Sequence, residues 1–210
     1  RIKFEPEKIN AEELINSSIN TVSGNAMKKG IKIQNLVDTS YYLFVDKNLA
    51  LQVFNNLLSN AVKFTKRGDS ITISSKPSST LRFMQFSVKD TGRGIKPENV
   101  TKLFNIETKF TSEGTAGEKG SGMGLSLVKE IILKHGGTID VKSEYEKGTE
   151  FIFSLPVASA KILLVEPNKR DRILYSKILM NIASDYAVSI VANGHEALER
   201  IISSPPALVI

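Results

Sequence analysis

The feature that most constrains this chain is the order of three polar motifs within its first 125 residues. Residues 56–65 read NLLSNAVKFT, residues 90–95 read DTGRGI and residues 120–125 read GSGMGL. Each motif lies where hydrophobic periodicity predicts that a helix or strand begins or ends. Ends of packed elements are where ligand-binding groups concentrate, so these motifs are the first candidates for a functional site.

The first motif lies on a helix predicted to run from its N-cap, Asp46, to about Thr65. Two apolar stripes predict that much of this helix is buried. Asn56, Asn60 and Lys63 stand at i, i+4 and i+7 and so line one edge of it. A carboxamide oxygen suits Mg²⁺, and a lysine one turn further on can meet phosphate charge. Taken alone, these residues also fit the wet side of an ordinary amphipathic helix.

The second motif follows a strand predicted over residues 81–90. Because side chains alternate along a strand, one face carries an apolar series that ends in a carboxylate: Met84, Phe86, Val88 and Asp90. Asp90 can accept a hydrogen bond from the exocyclic amine of adenine. Gly92 and Gly94 allow the backbone to approach a base closely or to take a positive φ. The alternative is a simple turn that ends a strand.

The third motif opens a helix predicted to end at Gly136, and backbone amides at a helix N-terminus can bind an anion. It lacks the preceding strand of a dinucleotide fingerprint and the Gly-Lys-Ser/Thr of a P-loop. Residues 105–120 are polar and aperiodic, which predicts a mobile loop. Taken alone, the three glycines also fit a flexible hinge.

Taken together, the motifs resemble the ATP-binding catalytic domain of sensor histidine kinases, a fold shared with gyrase, the ninety-kilodalton heat-shock chaperone and mismatch-repair ATPases. The three motifs resemble its N, G1 and G2 boxes. Further likenesses are a partial F box at Leu103, Phe104 and Phe110, and a closing hairpin at residues 135–137 and 148–151. The resemblance covers about residues 2–156. It implies an α/β fold: a two-layer α/β sandwich of the Bergerat type, with a mixed sheet and helices on one face.

The resemblance also implies ATP and Mg²⁺ as cofactors. Asn60 would hold Mg²⁺, Asn56 and Lys63 would face the phosphates, and Asp90 would read adenine. Residues 105–120 would form a lid, from which Lys109 or Lys119 would reach the γ-phosphate; the choice stays open. The implied nucleotide-contacting residues are Asn56, Asn60, Lys63, Phe64, Asp90, Gly92, Gly94, Ile95, Lys109, Lys119, Gly120, Gly122, Met123, Gly124, Leu125 and Thr149.

Asn56 separates two branches of the family. The ATPase relatives place a glutamate there as general base for water, and without a base water attack should be slow. Phosphoryl transfer to a protein is therefore favoured over hydrolysis. The resemblance implies a histidine acceptor on a separate dimerisation domain, and neither His135 nor His195 fits that role. An alternative is a nucleotide-responsive docking module that transfers no phosphate.

The chain is predicted to divide into residues 1–156, a linker at 157–160 and a second region at 161–210. The second region resembles the front half of a response-regulator receiver domain, a partial flavodoxin-like βαβαβ segment. Pro167 stands where receivers usually carry a second acidic metal ligand after Glu166. The phosphoacceptor aspartate of receivers lies just after the third strand, where these residues end at Ile210. The likeness therefore predicts a hybrid kinase in which residues 161–210 as they stand cannot accept a phosphoryl group, and whose open edge strand favours swapping or aggregation.

Composition excludes other classes. The chain has no cysteine, so thiolate metal sites and disulfides are excluded. Its net charge of +6 is scattered, which argues against a nucleic-acid partner. No apolar run reaches the roughly 18 residues of a membrane span, so we expect no membrane contact by this segment and a cytoplasmic location. Whether the full-length protein is membrane-anchored stays open. The expected partners are a histidine-bearing dimerisation domain and a response regulator or receiver domain, in a full-length homodimer.

Overall fold

The structure, a computed structural model, describes residues 4–38, 41–80, 82–104, 113–118, 124–158, 161–183, 186–203, 205–206 and 208–210. The chain forms two compact units. One extends to Ser79 and resumes over Phe83–Val157, and the other holds Thr80–Arg82 and Ala158–Ile210.

The first unit has the predicted α/β architecture. Its elements are β1 (Glu7–Asn10), α1 (Ala11–Lys29), β2 (Lys32–Leu36), β3 (Tyr42–Val45), α2 (Lys47–Phe64), β4 (Ser70–Pro77), β5 (Phe83–Asp90), α3 (Pro97–Val100), α4 (Gly124–Lys134), β6 (Ile139–Glu144) and β7 (Gly148–Pro156). Five strands form a mixed sheet in the order β2-β4-β5-β7-β6, in which β2 and β4 are parallel and the other neighbours antiparallel. Helices α1, α2 and α4 share one apolar core with this sheet, so a two-layer sandwich results.

Helix α2 begins where the sequence predicts, and both α1 and α2 have a side-chain cap at their first turn. Asn10 caps α1 by accepting a hydrogen bond from the amide of Glu13 at 3.1 Å. Asp46 caps α2 in the same way, with the amide of Leu49 at 3.1 Å. Helix α1 ends at Gly30, whose φ of 66° is the left-handed conformation common after a helix.

Helix α2 lies at the centre of the core, as its two apolar stripes predict. The ring of Phe54 meets Phe86 of β5 at 5.5 Å and Phe153 of β7 at 5.3 Å, both edge to face. All three rings are fully buried. Burial of the helix on this side directs Asn56, Asn60 and Lys63 to its partly open edge.

Strand β1 was not predicted. Residues Glu7–Asn10 pair antiparallel with β3 in a separate two-stranded sheet, with Ile9 opposite Leu43. The segment was missed because four mostly polar residues carry no period-two pattern.

The second unit contains β8 (Lys161–Val165), α5 (Lys169–Ile182), β9 (Ala187–Val191), α6 (Gly194–Ser203) and β10 (Leu208–Val209). Its three strands are parallel in the order β10-β8-β9. Small apolar clusters lie on the two faces of β8, one around Leu164 and one around Leu163. Among the described helices of the chain, none combines the length and apolar character needed to cross a bilayer.

Candidate functional site

The first and third motifs meet in the structure. The Nδ2 of Asn56 donates to the carbonyl oxygen of Gln52 at 2.8 Å, and its Oδ1 is directed at the start of α4. A Cβ atom on Gly124 would lie only 2.6 Å from that Oδ1. Glycine at position 124 therefore allows the N-terminal end of α4 to lie against the predicted phosphate-facing edge of α2.

The second motif is organised by Asp90, the last residue of β5. Its carboxyl is buried, with 4% of the residue exposed, and its Oδ1 accepts from the amides of Gly92 at 2.9 Å and Thr149 at 3.3 Å. Burial raises the pKa of Asp90 to about 6; the two amides act to lower it, and the charge of Asp69 raises it further. Asp90 therefore lies beside Thr149, which the sequence predicts to contact the same ligand.

Two glycines hold the loop after Asp90 against its neighbours. A Cβ on Gly92 would lie 2.3 Å from the carbonyl oxygen of Phe64, and the next amide, that of Arg93, donates to this oxygen at 3.0 Å. Gly94 has a φ of 64°, and a Cβ there would lie 2.0 Å from the carbonyl oxygen of Glu144. The close approach at Gly92 is thus to the end of α2, whereas sequence considerations allowed an approach to a base.

Positive charge gathers where α2 ends. The ammonium of Lys63 lies 4.8 Å from the centre of the Phe64 ring, and the guanidinium of Arg93 lies 5.5 Å from the same centre. Burial lowers the pKa of Lys63; the charge of Glu118 opposes this, and that of Arg93 adds to it. The hydroxyl of Thr65 is buried here and, within the described part of the chain, has no hydrogen-bond partner.

Some of the remaining predicted site residues have described positions, and the others lie outside the described residues. Ile95 donates its amide to the Oγ of Ser143 at 2.8 Å, and Leu125 packs on the core. Asn60 lies one turn from Asn56 and is partly buried. The predictions for Lys109, Lys119, Gly120, Gly122 and Met123 fall outside the described residues, as does Phe110 of the partial F box.

One feature of the site was missed from the sequence. Within the loop predicted as mobile, residues 113–118 form a hydrogen-bonded turn, and the amide of Thr115 donates to the carbonyl oxygen of Lys63 at 2.9 Å. The turn also contacts Lys29 at the end of α1. No sequence signal indicates these contacts, because the partners lie far apart along the chain.

The two-layer sandwich, with the asparagine-bearing helix and the buried aspartate at the sheet rim, has the fold of solved histidine-kinase catalytic domains. The catalytic domain of histidine kinase ThkA matches with a TM-score of 0.62 and 28% identity, over 72% of this chain and 97% of that one. ThkA has also been solved in complex with response regulator protein TrrA. Full-length ShkA, solved in complex with AMPPNP, covers 99% of this chain and 45% of its own at a TM-score of 0.63; at 24% identity this likeness shows the fold alone.

Residues 45–159 match the family model described as histidine kinase-, DNA gyrase B-, and HSP90-like ATPase. The match takes in more than half of the chain, and the chain belongs to this family. The sensor protein SrrB of Staphylococcus aureus is 45% identical over 105 residues, which are 50% of this chain and 18% of that protein. The match thus spans less than a fifth of the length of this relative.

Proposed function

We propose that residues 1–156 bind ATP with Mg²⁺ and donate its γ-phosphoryl group to a histidine on a dimerisation domain outside these 210 residues, as the catalytic domain of a hybrid sensor histidine kinase. The observation that carries this proposal is the buried carboxyl of Asp90. Both hydrogen bonds that the described backbone makes to it fall on Oδ1, from Gly92 and Thr149. Its Oδ2 is therefore the oxygen that would accept from the exocyclic amine of adenine.

The donor set around α2 suits a phosphate chain. Lys63 supplies positive charge and, at the N-terminal end of α4, Gly124 supplies backbone close to Asn56. The resemblance implies that the amides of Gly122, Gly124 and Leu125 cradle the phosphates. Gly94 and Ile95 would lie along the base.

The residues present also fit Mg²⁺. Within the described residues, no group of three or more His, Cys, Asp or Glu side chains is placed to hold a metal ion. Mg²⁺ commonly keeps several waters and shares phosphate oxygens, so the amide oxygen of Asn60 would serve as its one protein ligand, with waters and phosphate oxygens as the others. When bound, Mg²⁺ would neutralise charge on the phosphates.

Transfer to a protein is favoured over hydrolysis. Asn56 cannot accept a proton from water, and its Nδ2 is hydrogen-bonded to its own helix. His135 is unsuited as an acceptor because it is buried, with 6% exposed, and both ring nitrogens are hydrogen-bonded. His195 lies in the second unit, where it is exposed and 3.6 Å from Glu199. ThkA is a histidine kinase and has been solved with a response regulator, which supports a histidine acceptor and a response-regulator partner for this chain.

The second unit supports the hybrid assignment. Its parallel order β10-β8-β9 is that of a flavodoxin-like front half. After β8, Glu166 accepts from the amide of Asn168 at 2.7 Å, and Pro167 supplies no carboxylate. A receiver metal site is therefore incomplete here, which is the observation that favours the second candidate, a nucleotide-responsive docking module.

The test supplies a histidine-bearing dimerisation domain in trans with γ-labelled ATP and Mg²⁺. We expect label on the added histidine, none on this chain alone, slow phosphate release, and loss of transfer in Asn60→Ala. Equal labelling by intact protein and Asn60→Ala would contradict the kinase assignment. Nucleotide-dependent capture of a receiver domain without label transfer would select the docking module, and rapid phosphate release would revive hydrolysis.

A further inference from the structure

The ammonium group of Lys29, in the last turn of α1, joins three parts of the first unit. It donates to the carbonyl oxygens of Val62 at 2.8 Å and Lys63 at 3.2 Å, near the end of α2. It also donates to Thr115 Oγ1 at 2.7 Å and to Glu118 Oε1 at 2.9 Å. The Lys29 side chain is 16% exposed, so it is held between these groups and away from bulk water.

These contacts satisfy groups that α2 cannot satisfy itself. The last carbonyls of a helix have no partner within it and carry the negative end of its dipole. Lys29 donates to two of these carbonyls, and the backbone amide of Arg93 donates to the carbonyl of Phe64. The backbone amide of Thr115 donates to the carbonyl of Lys63, and its hydroxyl donates to the carbonyl of Thr65. The end of α2 is therefore a junction of α1, the loop after β5 and the turn at residues 113–118.

The turn is shaped to fit this junction. Glu118 Oε2 accepts from the amide of Ala116 at 2.9 Å, and the carbonyl of Glu118 accepts from the amide of Gly114 at 2.9 Å. A Cβ on Gly114 would lie 2.6 Å from Cγ of Lys63. Glycine at 114 thus lets the turn lie directly on α2. Desolvating an ammonium is costly unless it is paired, and Glu118 supplies the opposite charge.

We propose that Lys29 is a positioning residue for nucleotide binding, which holds the turn at residues 113–118 on the end of α2. The inference rests on the proposed function, because Lys63 and Gly124 belong to the predicted phosphate site. Glu118 comes just before the predicted phosphate motif in sequence and Gly124 lies within it. Each is held at α2, Glu118 through Lys29 and Gly124 against Asn56. Lys29 itself does not contact the nucleotide.

Loss of the Lys29 contacts should weaken nucleotide binding because the turn at residues 113–118 would no longer be held in place before the nucleotide binds. A turn that is free in the unliganded protein must be ordered when the ligand binds, and that entropy cost subtracts from affinity. We expect about a tenfold rise in the Kd for ATP·Mg²⁺ in Lys29→Met, which corresponds to one broken charge-assisted contact. Lys29→Arg keeps the charge and donors and should retain most of the affinity.

The experiment is a calorimetric titration of the full chain with ATP·Mg²⁺. Lys28→Met is the matched control for Lys29→Met, since Lys28 is an exposed neighbour on α1. Glu113→Gln is the control for Glu118→Gln. The expected result is that Lys29→Met and Glu118→Gln each raise the Kd, that the double variant is no weaker than the worse single variant, and that both controls bind like the parent.

The outcomes separate the two proposals. If the parent protein does not bind ATP·Mg²⁺, the proposed function fails. If the parent binds, and Lys29→Met binds equally well or Lys29→Arg is as weak as Lys29→Met, the positioning role is overturned. Should Lys29→Met not fold, Glu118→Gln removes the opposite charge and Thr115→Val removes the hydroxyl that Lys29 contacts, and unchanged affinity in both would overturn it as well.

Discussion

The backbone amide of Asp46 donates a hydrogen bond to Nε2 of His135 at 3.0 Å, which ties the start of α2 to the end of α4. The ring nitrogen Nδ1 meets the carbonyl of Ile131 at 2.8 Å, so His135 caps a carbonyl in the last turn of α4. The ring of Phe4 packs edge to face on His135 at 4.9 Å, and the amide of Glu5 donates to Asp46 at 3.0 Å. His135 and Asp46 therefore also hold the segment that precedes β1, at Phe4 and Glu5.

This arrangement predicts acid sensitivity. Burial lowers the pKa of His135 below its ordinary 6.5; the Ile131 carbonyl and the Asp46 charge oppose this, and Lys134 adds to it. Only the neutral ring can accept from the Asp46 amide, so folding favours the neutral form. The stabilisation is present above pH 6.5 and is lost as the pH falls through the lower folded pKa.

Urea unfolding between pH 5 and 8 measures this effect. We expect the free energy of unfolding of the parent, relative to that of His135→Gln, to fall towards pH 5; the opposite contribution of Asp90 is common to both proteins and cancels in this difference. His195→Gln is the control because His195 is exposed. Identical pH profiles for the parent and His135→Gln would contradict the prediction.

Asp90 predicts the opposite pH effect on the unliganded protein. Its pKa is about 6 in the folded chain against 3.8 ordinarily, so the folded state favours the protonated form. The stability that this contributes is present below pH 3.8 and is lost as the pH rises through 6. Asp90→Asn keeps an acceptor for the amides of Gly92 and Thr149 without the buried charge. It should therefore raise the free energy of unfolding at pH 8 by up to about 3 kcal/mol.

The same substitution should weaken nucleotide binding. An amide nitrogen in place of Oδ2 would face the amine of adenine donor to donor, which should raise the Kd for ATP by about ten- to a hundredfold. Denaturation at pH 5 and pH 8, paired with calorimetric titration at pH 8, measures both effects. If Asp90→Asn were less stable than the parent at both pH values, the buried charge of Asp90 would not be what destabilises the folded state, and the prediction would be wrong.

Substitution of Gly124 should change nucleotide affinity without changing the free energy of unfolding. The Cβ of Gly124→Ala would press on Oδ1 of Asn56, the free end of a flexible side chain, which can move at little cost. We therefore expect weaker nucleotide binding with little change in unfolding free energy. Gly24→Ala is the control: nothing lies within 4 Å of its Cβ position in the middle of α1, so it should stabilise by about 0.5–1 kcal/mol and leave binding unchanged.

The sequence predicted the parts of this site that depend on local pattern. The apolar stripes of α2 determine which edge carries Asn56 and Asn60, and alternation along β5 directs Asp90 inwards. What could not be predicted depends on contacts between distant segments. The amide of Thr149 reaches Asp90, and Gly92 rests on the carbonyl of Phe64, only once the sheet and helices have packed.

The turn at residues 113–118 shows the same limit more strongly. Its polar, glycine-containing sequence predicts a loop, and only the partners supplied by α1 and α2 give it a fixed shape. Strand β1 is similar, because its register is set by pairing with β3 and not by any pattern of its own.

The aromatic cluster beneath the site predicts how strongly the sandwich depends on α2. Phe54 is completely buried between Phe86 and Phe153, and truncation would lose both its transfer energy and its edge-to-face contacts. Phe54→Ala should lower the free energy of unfolding by about 3–5 kcal/mol, whereas Phe54→Leu fills most of the space and should cost less. Phe44→Ala is the matched control, since Phe44 is 49% exposed. Urea denaturation of the three variants measures the order, and an equal loss for Phe54→Ala and Phe44→Ala would contradict a core built on α2.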